Sequence, residues 1–155
     1  MAPRAYVSLV IDSPIERVWA AMIDMQRYPE WNPFVIRVDG VGDDPRAGQA
    51  MVLHVRWGDG KVIQSTEEIS RIEPPSAHGD GVTRGLLEYA FRGPLHRLNL
   101  VRGSRVQRVE RLDEARTRYE SEEVFSGWMA WGVPLAQVQD GFERHARALA
   151  ERVRR

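Results

Sequence analysis

The feature that most constrains this chain is a change of hydrophobic period along its length. From Ile15 to Ile23 the apolar residues Ile15, Val18, Trp19, Met22 and Ile23 share one helical face. After Pro33 the period becomes two. Gln49 to Trp57 shows it best, with Met51, Leu53, Val55 and Trp57 on one face and Val52, His54 and Arg56 on the other. From Pro134 onward the period is helical again: Leu135, Val138, Phe142, Leu149 and Val153 form one stripe, with arginines and acids opposite. A β-branched and aromatic segment, Tyr6 to Ile11, precedes the first helix and reads as a strand. A strand, helices, a long run of strands and one long helix predict an α+β fold with an antiparallel sheet.

Punctuation residues refine this order. Ser13-Pro14-Ile15-Glu16 reads as a helix start, with Ser13 as N-cap, Pro14 at the first helical position and Glu16 three residues after the cap. Pro29 and Pro33 allow only a short helix or turn over 28–33. Phe34 to Val41 is extended, and Gly58-Asp59-Gly60 is a hairpin turn. Val62 to Ile72 returns as a strand closed by Pro74-Pro75, and Gly85 to Phe91 is another strand. Residues 93–103 read as a long loop or a strand extension. Ser104 to Leu112 and Thr117 to Phe125 flank a turn at Asp113-Glu114-Ala115, and Gly127 to Val133 is a connector.

Composition excludes several function classes. The 155 residues fit one domain spanning 1–155. Lys+Arg 22 against Asp+Glu 22 leaves no global electrostatic footprint for nucleic acid. With Cys 0 there are no disulfides, thiolate metal sites or thiol nucleophiles. No apolar run approaches the roughly 20 residues of a membrane span, and no secretory signal is visible, so a cytoplasmic protein is expected. Lys61 is the only lysine. The arginine excess reads as coding composition, with anion recognition as the functional alternative. His54, His78, His96 and His145 are not paired at helical metal spacing, and no HExxH, GxSxG or phosphate-binding fingerprint occurs. No metal and no cofactor are expected.

Two end segments carry a family resemblance. Ile11-Asp12-Ser13-Pro14-Ile15-Glu16-Arg17-Val18-Trp19, Asp24 and Tyr28-Pro29-Glu30-Trp31-Asn32-Pro33-Phe34 resemble the opening of the START-like, or SRPBCC, superfamily. This is the polyketide cyclase/dehydrase and lipid-transport group. Ser121 to Gly127 followed by the long helix resembles the closing segment of one bacterial branch. The resemblance implies a helix-grip fold: about seven bent antiparallel strands wrapped round the C-terminal helix, with two short helices after the first strand. It also implies a deep apolar cavity between sheet and helix for a hydrophobic or aromatic small molecule.

The last hairpin can be read physically. With the turn at 113–115, Glu110 faces Arg118 and Arg108 faces Glu120 on a solvated face. The opposite face then carries Arg105 against Glu123, Gln107 against Ser121, and Val109 against Tyr119, with Phe125 beyond. Arg105 and Glu123 read either as a satisfied ion pair or as a polar anchor and acid–base couple. In either case the arginine is expected to lower the carboxylate pKa. Tyr119 reads as a core aromatic or as a hydrogen-bond donor to substrate. Met51, Leu53, Val55, Trp57, Tyr89, Leu135, Val138 and Phe142 are candidate walls, and Trp31, Phe34, Trp128 and Trp131 candidate mouth residues. His54 is expected to be exposed, His145 to border the cavity, and Trp19 to be core.

Three functions compete. A cofactor-free polyketide cyclase, aromatase or dehydratase would use Glu123, Arg105 and Tyr119. A non-catalytic carrier or sensor needs only apolar walls and a few anchors. A protein-interaction module would need an exposed apolar patch, of which the sequence shows no sign. Monomer and homodimer both remain open.

Overall fold

The computed structural model describes residues 2–98 and 100–154. Strand β1 is Arg4–Ile11, helix α1 Ile15–Ile23, and a 3₁₀ turn covers Met25–Glu30. Strands β2 (Val35–Asp39), β3 (Ala50–Arg56), β4 (Val62–Ala77) and β5 (Thr83–Phe91) follow. A one-turn helix α2 (Pro94–Arg97) leads to β6 (Arg102–Asp113) and β7 (Arg116–Ser126). A 3₁₀ turn at Ala130–Gly132 and helix α3 (Leu135–Arg154) close the described chain. The seven strands form one antiparallel sheet in the order β1-β7-β6-β5-β4-β3-β2, so α1 and its following turn carry the chain from one sheet edge to the other. The curled sheet with its long C-terminal helix is the helix-grip fold.

α3 lies against the sheet because its stripe Val138, Phe142, His145, Ala146, Leu149 and Val153 is buried. Three polar clamps fix it. The Gln139 amide pairs with the free edge of β1, accepting from Tyr6 N at 2.8 Å and donating to Tyr6 O at 2.7 Å. That side chain occupies the outward N–H and C=O of one residue on an edge strand. The Arg144 guanidinium donates to Pro33 O and Arg56 O, both at 2.9 Å. Ser13 Oγ donates to Val153 O near the helix end, at 3.3 Å.

That last bond corrects the predicted helix start. Ser13 spends its hydroxyl on α3 and does not cap α1; Pro14 occupies the cap position without a side-chain bond. Glu16 pairs with Arg111 instead of closing a capping box. The prolines at 74 and 75 do not end β4. Beyond Glu68 the ladder to β3 has run out, so this half of β4 has β5 on one side only. One missing N–H faces that open side, and the other falls where the register to β5 shifts between Glu73 and Ser76, so neither proline removes a ladder bond. Residues 93–103 are neither a long loop nor a strand extension over their whole length, since they hold α2 and the start of β6. Glu110 and Arg118 do pair, at 3.2 Å, but Arg108 reaches diagonally towards Glu122 at 3.9 Å. His54 is half-buried, because Nε2 lies 2.7 Å from Asp39 Oδ2 on β2. Trp19 is core, as its phase implied.

Candidate functional site

A pocket of about 300 Å³ lies between the curled sheet and the start of α3. Its walls are mainly apolar: Leu53 and Val55 from β3, Phe34 ahead of β2, Phe125 from β7, and Val138 and Phe142 from α3. Glycine makes room for two of these groups. A Cβ at Gly141 would collide with the Phe34 ring, and one at Gly103 with the Glu123 carboxyl and at 3.1 Å with the Phe125 ring.

The polar side chains of the pocket are set by strand register. Tyr89, Arg105 and Glu123 stand in one row across β5, β6 and β7. Glu67 lies on β4, two residues before Ile69, which pairs with Tyr89. All four border the pocket, together with Ser65. The pairing of Arg105 with Glu123 is the one the hairpin register requires. It is not an ion pair, however. Arg105 Nε donates to Ser121 Oγ at 2.9 Å, one terminal nitrogen to Tyr89 OH at 2.9 Å, and the other to His145 Nδ1 at 3.3 Å. The guanidinium also stacks 4.2 Å from the Phe142 ring centre. It is therefore held rigidly by neutral groups.

Charge in the pocket follows from this. Burial pushes the Glu123 carboxyl up to about 7, against the pull of Arg105, so the expected lowering does not occur. Burial also pushes Glu67 up to about 8, and the charge of Glu123 adds to it while the 3.0 Å bond from Ser65 Oγ opposes it. At neutral pH one carboxyl thus holds a proton while the other is poised to lose or gain one. Among the described residues Glu123 makes no hydrogen bond or ion pair. Tyr89 OH accepts from Arg105, and more weakly from Gln107 Nε2 at 3.5 Å, which leaves its own hydrogen free to point into the pocket.

Behind this row lies a dry polar layer. Tyr119 OH donates to Gln107 Oε1 at 2.6 Å, and both side chains are fully buried. His145 is also fully buried, and burial followed by the Arg105 charge drives its pKa well below the usual imidazole range. Neutral and accepting at Nδ1, it is fixed by Arg105 and by Asn32 Nδ2 at 3.3 Å. Asn32 in turn accepts from the backbone N–H of Phe34 and Val35, both at 3.0 Å.

Of the residues singled out from sequence, Arg105, Glu123, Phe34, Leu53, Val55, Trp57, Tyr89, Phe125, Val138 and Phe142 border the pocket. Tyr119, Gln107, Ser121 and His145 do not; they form the layer that supports Arg105. Met51 is core and Leu135 also stands off the pocket. Trp31 packs edge-on to Tyr28 and His145 rather than at the mouth. Trp128 and Trp131 are exposed and do not line the pocket themselves, although Met129 between them does. Glu67 was not singled out, although it shares the strand phase of Ile63 and Ile69. Among the described residues no group of three His, Cys, Asp or Glu is placed to hold a metal. No helix is long and apolar enough to cross a membrane.

Fold and pocket together define a helix-grip protein with a mainly apolar pocket between sheet and helix. The chain belongs to the polyketide cyclase/dehydrase and lipid transport family, whose model matches residues 2–154. No curated protein sequence matches it. Among solved structures it resembles the ZhuI aromatase/cyclase of Streptomyces sp. R1128, at TM-score 0.75 and 16% identity over 100% of this chain and 95% of that one. It also resembles a START superfamily protein of Mycobacterium smegmatis, at TM-score 0.69 and 14% identity over 97% of each chain. A third is norcoclaurine synthase of Thalictrum flavum, seen with dopamine and hydroxybenzaldehyde, at TM-score 0.64 and 10% identity over 99% and 87%. At these identities the likeness is one of fold.

Proposed function

We propose that the pocket binds an apolar polyketide-like small molecule and promotes its cyclisation, aromatisation or dehydration by acid–base chemistry from the chain's own side chains. The observation that carries this reading is the row Tyr89–Arg105–Glu123, with Glu67 nearby, set in otherwise apolar walls. Tyr89 O–H and the held Arg105 supply donors to a substrate carbonyl oxygen, where negative charge develops on enolisation. Glu123, near pH 7 half-ionised, removes the proton from the carbon beside that carbonyl. The enolate carbon then bonds to a second carbonyl carbon of the same molecule, whose oxygen takes the proton held by Glu67. The hydroxyl then leaves as water with the proton that Glu123 took up, and Glu67 removes a proton from the adjacent carbon, so that the dehydration returns both carboxyls to their starting states. Apolar walls that fold the substrate supply proximity. The fold shared with an aromatase/cyclase is consistent with this chemistry.

Native mass spectrometry of the purified protein, repeated under denaturing conditions, tests occupancy. A released mass of a few hundred daltons with carbonyl or aromatic character is expected. Turnover of β-polyketone mimics tests the chemistry: Glu123→Gln is to lose turnover by about a hundredfold or more while keeping affinity. Unchanged turnover in Glu123→Gln removes that residue from the mechanism. A second reading, a carrier or sensor of lipid-like molecules, is favoured by the apolar rim of the pocket, where Ile63, Leu95 and Met129 are exposed. It is selected if a fatty acid or phospholipid is released and recovered chemically unchanged.

A further inference from the structure

The pocket opens where three segments meet. Ile63 on β4, Leu95 on α2 and Met129 in the connector before α3 both border the pocket and stand exposed, so they mark its rim. Outward from the rim the apolar surface continues. Trp128 is 84% exposed, Trp131 74%, Leu98 68% and Met129 52%, and Val62 is exposed at the hairpin tip. The backbone joins two of the segments, Met129 N donating to Leu100 O at 2.7 Å. Single exposed apolar residues are ordinary, but two tryptophans, a methionine and two leucines around one opening are not.

The unpaired charge around this opening is basic. No acidic residue occurs between Glu88 and Glu110, or between Glu123 and Asp140. Arg92, His96 and Arg102 line one shallow groove, whose one acid, Glu88, accepts from Ser70 Oγ at 3.0 Å. Arg92 is partly committed to Glu68, 3.5 Å away. Arg97, Arg102 and Lys61 make no ion pair among the described residues, and Arg97 and Arg102 are exposed. His96 Nδ1 is buried without a hydrogen-bond partner among the described residues, and burial together with Arg92 and Arg102 holds the imidazole below its usual range. Two acids stand at the hairpin tip: Asp59, whose carboxylate accepts from Lys61 N, and Asp140, which approaches Gly58 and is neutralised by Arg144 at 2.8 Å.

Exposed tryptophan beside unpaired arginine is the chemistry of the bilayer interface. Indole sits at the headgroup level, and cations there meet anionic lipid. We propose that the pocket mouth, formed by the β3–β4 hairpin tip, α2 and the Gly127–Val133 connector, docks on an anionic lipid surface. Trp128, Trp131, Met129 and Leu98 enter the interface while Arg97, Arg102 and Lys61 contact the headgroups. The consequence that a ligand passes between bilayer and pocket without crossing water rests on the pocket reading above; the docking itself does not.

The test is cosedimentation of the purified protein with vesicles of phosphatidylcholine alone and of phosphatidylcholine with about one third phosphatidylglycerol. Binding to the anionic vesicles is expected, with a blue shift of tryptophan emission and weakening at high salt. Phosphatidylcholine alone is to bind roughly tenfold more weakly, and both Trp128→Ala/Trp131→Ala and Arg97→Glu/Arg102→Glu are to reduce anionic binding by about tenfold or more. These side chains are exposed, so the variants should melt as the parent does. No binding to either vesicle overturns the proposal. So does equal binding to both, or a dimer in light scattering that the double tryptophan variant disperses while vesicles stay unbound. Nile red binding in vesicle-free solution reads the pocket separately, so docking can fail while the pocket reading stands, and the reverse.

Discussion

At the scale of single residues, the site is governed by carboxyls placed where water is scarce. Glu67 shows the consequence for stability. In the folded chain it keeps its proton up to about pH 8, whereas in the unfolded chain it ionises near the ordinary 4.5. Between those values the folded state binds the extra proton, so stability falls as pH rises through this window and levels off above it. Glu67→Gln removes that dependence while keeping an acceptor for Ser65. The variant is expected to match the parent at pH 5 and to exceed its unfolding free energy by on the order of 2–4 kcal/mol at pH 9. Denaturant melts of both proteins at the two pH values check this; an equal difference at both would show that Glu67 is not a buried acid. Legibility at this scale was mixed. Arg105 and Glu123 could be read because hairpin pairing is arithmetic about a known turn. Their failure to pair could not, because Ser121, Tyr89 and His145 capture the guanidinium through three different elements. Glu67 was legible in principle, as an acid in phase with Ile63 and Ile69, but strand phase alone does not tell which face of β4 the curl of the sheet buries.

At the scale of elements, periodicity located the strands and helices, and tertiary partners decided their ends. Pro74-Pro75 looked like a stop because local chemistry says so, yet β4 runs on to Ala77 since its other neighbour has already ended. Ser13 looked like a cap for α1 but is drawn to the end of α3, a contact across 140 positions. α3 carries the element whose sequence most contradicts local preference, a glycine at its seventh residue. Helix propensity alone would favour Gly141→Ala by about 1 kcal/mol. The Cβ would occupy the place of the Phe34 ring, and that ring is pinned between Trp57 and Phe142 at centroid distances of 5.9 and 6.0 Å. Overpacking of this kind costs typically about 1–3 kcal/mol. The steric term should win, so Gly141→Ala is expected to lower Tm by a few degrees, and a thermal melt decides. A raised Tm would mean that Phe34 moves freely into the pocket.

At the scale of the whole molecule, the helix-grip arrangement makes core and pocket one continuous surface, which is why the sequence could name apolar wall residues without dividing wall from core. Met51 and Val55 share a strand face, but only Val55 borders the pocket, and that difference depends on how far the sheet curls. The same continuity links occupancy to stability. A ligand between β3, β7 and α3 binds only the folded chain, so at a hundred times its Kd it should add about 2.7 kcal/mol. For a domain of this size that is roughly 5–10 °C in Tm. Val138 projects from α3 into the pocket and is 6% exposed. Val138→Trp should fill the space that a ligand would take. The variant is expected to keep its fold and lose the ligand-induced rise in Tm, with Nile red affinity reduced about tenfold or more. Val124→Trp, on the opposite face of β7 where the side chain is exposed, controls for adding an indole. Equal ligand shifts in parent and Val138→Trp would place binding outside the sheet–helix pocket. A lost shift in both variants would point to a general effect of the added ring. Loss in Val138→Trp alone ties binding, stability and the grip of sheet on helix to one volume.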